Sequence, residues 1–424
     1  MATAGTSIKV SPAPYYVKAL ALGVPAYLLG IHLWTWVFSL PLYLSGYADF
    51  RQLYTAGYML RTGHAHQLYN YTVQAYFQNK LVTPMDVSMP FIRPAYEGLL
   101  FIPFSFLSFK AAYFVFLGVN LMMLAVTYYL IRRSLENLAR IVPWLPAAMF
   151  LGFLPIAAAL IQGQDSVILL TLLTATAVSL QQGSEFRAGV FAGLGFFKFQ
   201  ITIPIAILFL AWRRWRFTTG FSAAALVLGT ISLWIVGLAQ ASSYCRSLLF
   251  MGSSSPNGGY PLALGLMANL HGLIFGLIGN TLPGKFVILS TLLASVAVFV
   301  WCLKSVPKPT GMDAVLLGIT VSALVSYYLF MHDLSIMALP IAVMLNRFIE
   351  GEATGDKSGR IMTRVAALLF VSPMCISYTT HYFYLVSVPL CVFLFVLVER
   401  LRRDAVSKAG TGIADSTLET VTRA

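Results

Sequence analysis

Asp49 stands where a long apolar segment ends and a polar, aromatic loop begins, in the run Tyr47-Ala48-Asp49-Phe50. A carboxylate at the mouth of a membrane helix is desolvated enough to act as a base, yet it can be reached from water. The same side chain could instead cap a helix over 50–61 by accepting hydrogen bonds from its free backbone N–H groups. Residue types and spacing leave these two roles equally open.

Three further sites carry polar groups beside or within apolar segments. Lys198 lies inside the apolar segment 188–212, where a charge indicates function unless the side chain extends to the membrane surface. Gln164 and Asp165 form a tight turn before another apolar run, where they could bind a ligand or cap the following helix. His332 opens a break between two apolar runs, next to Asp333. Each of these residues is a candidate for a site.

The spacing of the other reactive residues predicts neither a metal nor a cofactor. The six histidines form no HxxxH pattern, and the four cysteines form no CxxC pattern. There is no GxGxxG motif and no P-loop, so a nucleotide-binding domain is not expected.

The composition requires a lipid environment. Hydrophobic residues make up 58% of the 424 residues and charged residues only 10%, whereas soluble domains carry about 25% charged residues. The net charge of +13 comes largely from basic residues at the ends of apolar runs, which is typical of cytoplasmic loops. The sequence therefore predicts an all-α integral membrane protein that does not bind nucleic acid.

The apolar runs predict about twelve membrane-embedded helices in a single domain over 1–403, followed by a polar cytoplasmic tail at 404–424. Two outer loops, 45–110 and 240–284, are expected to carry interfacial helices, one of them over 98–109. We expect one span over 141–161 and another over 312–330. The segment 188–212 is expected to break near Lys198, because a single crossing would place the basic cluster 213–216 on the wrong side.

Several motifs occur in an order that resembles a known family. They are DFRQLYTAGYMLRTGHAHQLY (49–69), LLFIPFSFLSFKAAY (99–113), GQDSVILL (163–170), AGLGFFKFQITIPIAILFLAWRRWR (192–216) and HD (332–333). Their order and spacing resemble those of glycosyltransferase family 87, which has the GT-C membrane fold and includes mannosyltransferases of phosphatidylinositol mannoside synthesis.

The resemblance implies an enzyme that transfers a mannose-like hexose or a pentose from a polyprenyl-phosphate donor to a lipid or glycan acceptor. It implies that Asp49 is the base, with His332 beside it, and that the site is on the extracytoplasmic face of the plasma (inner) membrane. The leaving phosphate needs cations, for which Arg93 and Lys198 are the candidates, and Gln164 and Asp165 would lie near the donor. No metal or cofactor is implied.

Two alternatives from other classes stay open. A transporter or flippase would use Lys198 and Asp165 to bind an ion or a head group, although no internal repeat supports this reading. In a non-catalytic membrane subunit, Asp49 would only cap a helix.

Overall fold

The computed structural model describes residues 15–85, 89–249, 263–279, 281–349, 357–379 and 381–421. Within these ranges every regular element is a helix. The α-helices are α1 Tyr15–Leu42, α2 Phe50–Arg61, α3 Tyr71–Leu81, α4 Ala95–Leu100, α5 Phe109–Ile131, α6 Glu136–Ile141, α7 Leu145–Gly152, α8 Leu154–Ile161, α9 Ser166–Gln181, α10 Glu185–Leu194, α11 Phe199–Ala211, α12 Trp215–Leu249, α13 Leu270–Ile278, α14 Gly284–Ser305, α15 Gly311–Val325, α16 Ala338–Phe348, α17 Lys357–Ser377 and α18 Ser387–Val421.

Seven helical segments in the described part of the chain are long and apolar enough to cross a membrane. They are Leu22–Arg61, Phe109–Ile141, Glu185–Ala211, Trp215–Leu248, Gly284–Ser305, Lys357–Ser377 and Phe383–Asp404. Two shorter apolar helices, α9 and α15, lie among them. The protein is therefore a multi-pass helical membrane protein, and the figure of about twelve membrane-embedded helices stays a prediction.

The segment Glu185–Ala211 does not cross in one direction, although its length and composition would allow it. The helix α10 ends at Leu194, a 3₁₀ turn leads to Lys198, and α11 begins at Phe199. Beyond α11, Arg214 forms a salt bridge with Glu185 at the start of α10. A straight helix would separate these two residues by about 40 Å. The predicted break is confirmed, and the two helices form a hairpin with Lys198 at its tip.

The expected single span over 141–161 is wrong, because the structure divides it into α7 and α8, with α6 ending at Ile141. Between α7 and α8 the backbone of Phe153 is extended (φ −81°, ψ 111°). Pro155 has no N–H to donate to the carbonyl of Leu151, so a continuous helix would lose this bond. The Leu151 carbonyl instead accepts a hydrogen bond from His32 Nδ1 on α1 (3.3 Å).

The expected helix over 98–109 is also divided, into α4 and a 3₁₀ turn at Pro103–Phe106. Pro103 cannot donate to the carbonyl of Leu99, which accepts a bond from the Ile102 N–H instead (3.2 Å). An interfacial helix of the predicted length is therefore absent from this part of the described chain.

The predicted span over 312–330 ends early, at Val325, because residues 268–271 supply other partners for the backbone. Asn269 donates to the carbonyl of Ser326 (2.7 Å), and His271 Nδ1 donates to that of Tyr327 (2.9 Å). The Ala268 N–H donates to the carbonyl of Leu329 (3.1 Å). Irregular backbone within a membrane protein needs such internal partners. The segment 326–330 is thereby held next to His332.

The turn between α8 and α9 lies deep beside α5. The Tyr113 hydroxyl donates to the carbonyl of Ile161 (2.6 Å), and the Asn120 amide donates to that of Gln164 (3.0 Å). Asn120 lies about 16 Å along the helix axis from the start of α5. Because α9 begins at this level, the turn lies beside the middle of α5 and not beside one of its ends.

Candidate active site

A cavity of about 400 Å³ opens between segments that are far apart in the chain. It is lined by the corner between α1 and α2, the segment 89–93, the turn before α9, the tip of the α10–α11 hairpin and the loops at 263–266, 328–333 and 377–383. Five of the six predicted site residues line it: Asp49, Arg93, Gln164, Lys198 and His332. The sixth, Asp165, lies behind the wall in contact with two of them.

Asp49 precedes α2, but its side chain makes no capping hydrogen bond. The Gln164 amide nitrogen donates to Asp49 Oδ2 instead (2.7 Å). The carboxylate is 26% exposed, and its nearest cationic candidate is His332 Nδ1, at 3.8 Å from Oδ2. The geometry therefore presents Asp49 to the cavity without an arginine or lysine partner among the described residues.

The corner that carries Asp49 is fixed by the turn before α9. The Phe50 N–H donates to the carbonyl of Gln162 (2.9 Å). Gly163 has φ +60°, and a Cβ atom there would lie 2.7 Å from Phe50 Cβ. Only glycine combines this backbone conformation with such a close approach. The Phe50 ring is itself enclosed by aromatic rings, including that of Phe116, with which it stacks at 5.1 Å between centroids.

The wall of the cavity and Asp165 directly behind it form a chain of buried ion pairs. Arg93 Nη1 is 2.6 Å from Asp165 Oδ2, and Lys198 Nζ is 3.0 Å from Asp165 Oδ1. Lys198 Nζ also lies 2.5 Å from Asp333 Oδ1. Arg93 Nη2 donates to Gln164 Oε1 (2.9 Å), which links the chain to the residue that binds Asp49. Lys198 does not extend to the membrane surface, since only 1% of its side chain is exposed.

These neighbours determine the charge of the buried groups. Burial opposes ionisation of Asp165, but Arg93 and Lys198 outweigh it and hold the pKa of this carboxyl well below its usual range. Burial likewise acts against Asp333, and Lys198 lowers its pKa. Both carboxylates are therefore charged and paired with cations.

His332 lies between the two carboxylates Asp49 and Asp333. Its Nδ1 atom is 2.8 Å from Gln162 Oε1, and its Nε2 atom is 3.6 Å from Asp333 Oδ2. Burial lowers the pKa of His332; Asp333 opposes this effect and Lys198 adds to it. A neutral imidazole that donates from Nδ1 to Gln162 fits these surroundings.

Sequence reasoning missed three contributors to this site. Asp333 was noticed only as a neighbour of His332, yet it binds Lys198 and accepts a hydrogen bond from the Ser166 hydroxyl (3.3 Å). Glu97 lies buried 3.7 Å from Arg93, and Gln162 orients His332. A carboxylate one helical turn after Arg93 was the one available signal for Glu97.

Three other histidines lie away from the cavity. His64 contacts Thr62, His66 binds the carbonyl of Val236, and His271 binds that of Tyr327. None of them lines the cavity. Among the described residues no three His, Cys, Asp or Glu side chains are grouped as metal ligands would be.

Comparison with known proteins bears on the region that contains the ion pairs. The profile of glycosyltransferase family 87 matches residues 91–326, more than half of the chain. This region contains Arg93, Gln164, Asp165 and Lys198, whereas Asp49 and His332 lie outside it. No curated protein matches the sequence. The family profile covers more than half of the chain, and the chain has the multi-pass helical fold that a membrane glycosyltransferase needs. The chain therefore belongs to glycosyltransferase family 87.

Proposed function

We propose that this membrane glycosyltransferase transfers a mannose-like hexose or a pentose from a polyprenyl-phosphate donor to a lipid or glycan acceptor. The reaction would take place at the extracytoplasmic face of the plasma (inner) membrane. Family membership supports sugar transfer in a lipid bilayer. The finer assignment is supported by a cavity that combines two carboxylates, two cations and apolar side chains such as Leu266 and Phe383.

The observation that carries this proposal is the contrast between Asp49 and the other carboxylates. Asp165 and Asp333 are paired with Arg93 or Lys198 and are therefore poor proton acceptors. Asp49 is partly exposed in the cavity wall and is oriented by the neutral Gln164 amide. A general base must be within reach of the substrate hydroxyl and must have a free lone pair.

The chemistry we propose is a single displacement with inversion. The acceptor hydroxyl loses its proton to Asp49 while its oxygen forms a bond to the anomeric carbon of the donor sugar. On the opposite side of that carbon, the bond to the phosphate oxygen breaks, and the polyprenyl phosphate leaves with the electron pair. His332, 3.8 Å from Asp49, would bind the acceptor hydroxyl or orient the base.

Arg93 and Lys198 are the groups that we propose for the leaving phosphate. A guanidinium and an ammonium bind phosphate through charge-assisted hydrogen bonds. Both groups line the cavity while they remain paired with the buried carboxylates Asp165 and Asp333. The phosphate would therefore share these cations with Asp165 and Asp333. Such sharing stabilises charge on the leaving group without creating an unpaired buried cation in the empty site.

A direct test uses the purified full-length protein in lipid nanodiscs. The protein is incubated with a panel of radiolabelled polyprenyl-phosphate sugars and a membrane lipid extract, and the products are separated by chromatography. We expect one sugar to move to an extractable lipid or glycan in a time-dependent manner. Intact donors throughout the panel, with a folded protein, would contradict the donor class. In proteoliposomes, movement of the lipid across the bilayer without transfer would indicate a flippase.

A further inference from the structure

The carboxyl group of Glu97 has unusual surroundings. It lies on α4, four residues after Arg93, and 1% of its side chain is exposed. Arg93 Nη1 is 3.7 Å from its Oε1 atom, which is too far for a hydrogen bond. Neither carboxyl oxygen has an N–H or O–H donor among the described residues. The Asp165 carboxyl group lies beside it, because the same Arg93 Nη1 atom is 2.6 Å from Asp165 Oδ2, and the two carboxyl groups interact through their side chains.

Two carboxylate groups in contact are both acceptors, so neither can bind the other unless one of them carries a proton. Two ionised carboxylates in contact repel each other strongly in a buried site, as the paired carboxyls of aspartic proteases illustrate. Both oxygens of Glu97 lack a hydrogen-bond donor, whereas those of Asp165 contact Lys198 and Arg93. One proton between the two carboxyl groups would give Glu97 a hydrogen-bond partner in Asp165 and would remove the repulsion.

The surrounding groups determine which of the two holds the proton. The charged groups that face Glu97 are Arg93, Asp165 and Lys198, and the tyrosines that face it are Tyr69, Tyr96, Tyr244 and Tyr328. Asp165 contacts both cations, whereas Glu97 has only a longer contact with one. Burial raises the pKa of Glu97 well above its usual value, Arg93 opposes this effect, and Asp165 adds to it.

We propose that Glu97 is a neutral carboxylic acid whose O–H donates a hydrogen bond to the Asp165 carboxylate, and that Arg93 and Lys198 bind the donor phosphate while Glu97 is in this form. Glu97 is thus a positioning residue that acts through Asp165 and Arg93. The phosphate part of this inference rests on the proposed function, whereas the shared proton rests on the geometry alone.

The charge balance explains why the neutral form would be required. With Glu97 neutral, the buried network holds two cations, Arg93 and Lys198, and two carboxylates, Asp165 and Asp333. An ionised Glu97 would add a negative charge beside the guanidinium that is proposed to bind phosphate. That charge would repel an anionic head group and draw Arg93 away from the cavity.

Infrared spectroscopy tests the proton without any substrate. A protonated carboxylic acid gives a carbonyl band that a carboxylate lacks. We expect this band in the wild-type protein at neutral pH, its loss on titration to alkaline pH, and its absence in Glu97→Gln. Glu136→Gln, which changes an exposed glutamate on α6, is the matched control and should retain it. Absence of the band at neutral pH would overturn the shared proton, and so would a neutral-pH band of unchanged intensity in Glu97→Gln.

Binding of a defined probe tests the link to phosphate. A short-chain prenyl phosphodiester of mannose keeps a single negative charge from about pH 6 to about pH 10. We expect its affinity for wild type to fall by about tenfold or more at the alkaline end, and Glu97→Gln to bind equally well throughout. A pH dependence that is unchanged in Glu97→Gln would overturn the link. Tighter binding to Glu97→Gln at neutral pH would also overturn it, because it would show that Glu97 is ionised there.

The two measurements separate the inference from the function on which it rests. Arg93→Lys keeps the charge of the network but loses the planar fork of the guanidinium. If Arg93→Lys binds the probe as wild type does, the assignment of the phosphate to Arg93 fails, while the infrared band still decides on the shared proton.

Discussion

The amide of Gln164 connects Asp49 to Arg93: its nitrogen donates to Asp49 Oδ2 at 2.7 Å, and its oxygen accepts from Arg93 Nη2 at 2.9 Å. The candidate base and a candidate phosphate ligand are thus joined through one neutral side chain. Because the amide occupies Oδ2, the Oδ1 atom of Asp49 is the one available to accept a proton from a substrate hydroxyl. The neutral amide of Gln164 thereby separates the negative charge of Asp49 from the positive charge of Arg93.

Replacing Asp49 with asparagine should remove most of the transferase activity. A general base contributes typically about 10²–10⁴-fold, and asparagine cannot accept the hydroxyl proton. Its carbonyl oxygen can still bind the Gln164 amide, so folding and donor binding should be retained. Initial rates and binding of the short-chain donor in nanodiscs provide the measurement.

The control for this substitution is Asp313→Asn, which makes the same chemical change in a residue paired with Arg347 away from the cavity. It should leave the rate nearly unchanged, since partly exposed ion pairs contribute little. If Asp49→Asn retained the wild-type rate, Asp49 would not be the base.

Lys198→Met should destabilise the protein, because Asp333 and Asp165 would lose a buried cationic partner. Breaking a buried pair costs about 3–5 kcal/mol. The double variant Lys198→Met/Asp333→Asn removes the charge left behind and should recover part of this loss. The midpoints of unfolding of the wild type, both single variants and the double variant give the coupling energy. Strictly additive effects would show that the pair is not coupled.

Gly163→Ala should reduce both stability and kcat. The left-handed backbone conformation alone costs roughly 1–2 kcal/mol for an L-residue, and the new Cβ atom would lie 2.7 Å from Phe50 Cβ. Phe50 cannot move without disturbing its aromatic neighbours, so Asp49 would shift with it. A misplacement of about 1 Å can cost about 100-fold in rate.

Gly183→Ala is the matched comparison, since Gly183 has φ +73° but no atom within 4 Å of the Cβ position. Gly183→Ala should lower stability by the cost of the left-handed backbone conformation but should leave kcat unchanged. Equal kcat values for the two variants would mean that the close approach to Phe50 does not position the base.

Acidic pH should destabilise the wild type more than His332→Gln. Burial lowers the pKa of His332 in the folded state, so the unfolded chain binds a proton more readily. The stability that comes from neutral His332 is fully present above its unfolded pKa of about 6.5 and is lost as the pH falls towards the lowered folded value. Thermal unfolding of both proteins across this range measures the difference, and parallel curves would contradict the prediction.

Cysteine labelling tests the expected topology. The four native cysteines, Cys245, Cys302, Cys375 and Cys391, are first replaced with alanine. Ser45→Cys should then react with a membrane-impermeant reagent in intact cells, whereas Arg216→Cys and Lys308→Cys should react only after permeabilisation, because basic clusters lie inside. The reverse pattern would place the cavity on the cytoplasmic side.

Local signals in the sequence were sufficient for several elements. The helix α2 was predicted at 50–61 and is confirmed, and the charge bias around 213–216 correctly required a break near Lys198. The break at Phe153 was missed because the apolar run hides it. Its cause is Pro155, whose missing N–H frees a carbonyl for His32 on another helix.

The pairing of charges was beyond sequence reasoning for a different reason. Lys198 and Asp333 are separated by 135 residues and meet only because a hairpin tip and an interrupted helix reach the same depth. Hydrophobic periodicity identifies helices but not which of their ends meet. For the same reason the contact of Glu97 with Asp165 could not be predicted.

The hydrogen bond from Asn120 to the carbonyl of Gln164 places Asp49, the proposed base, between helices, and this depth would affect the competition between the acceptor and water. An activated sugar beside a carboxylate base would be hydrolysed if solvent moved freely through the cavity. A narrow, partly apolar chamber between helices limits the number of water molecules near the anomeric carbon. The depth of the turn between α8 and α9 would thus favour transfer of the sugar to the acceptor over hydrolysis of the donor.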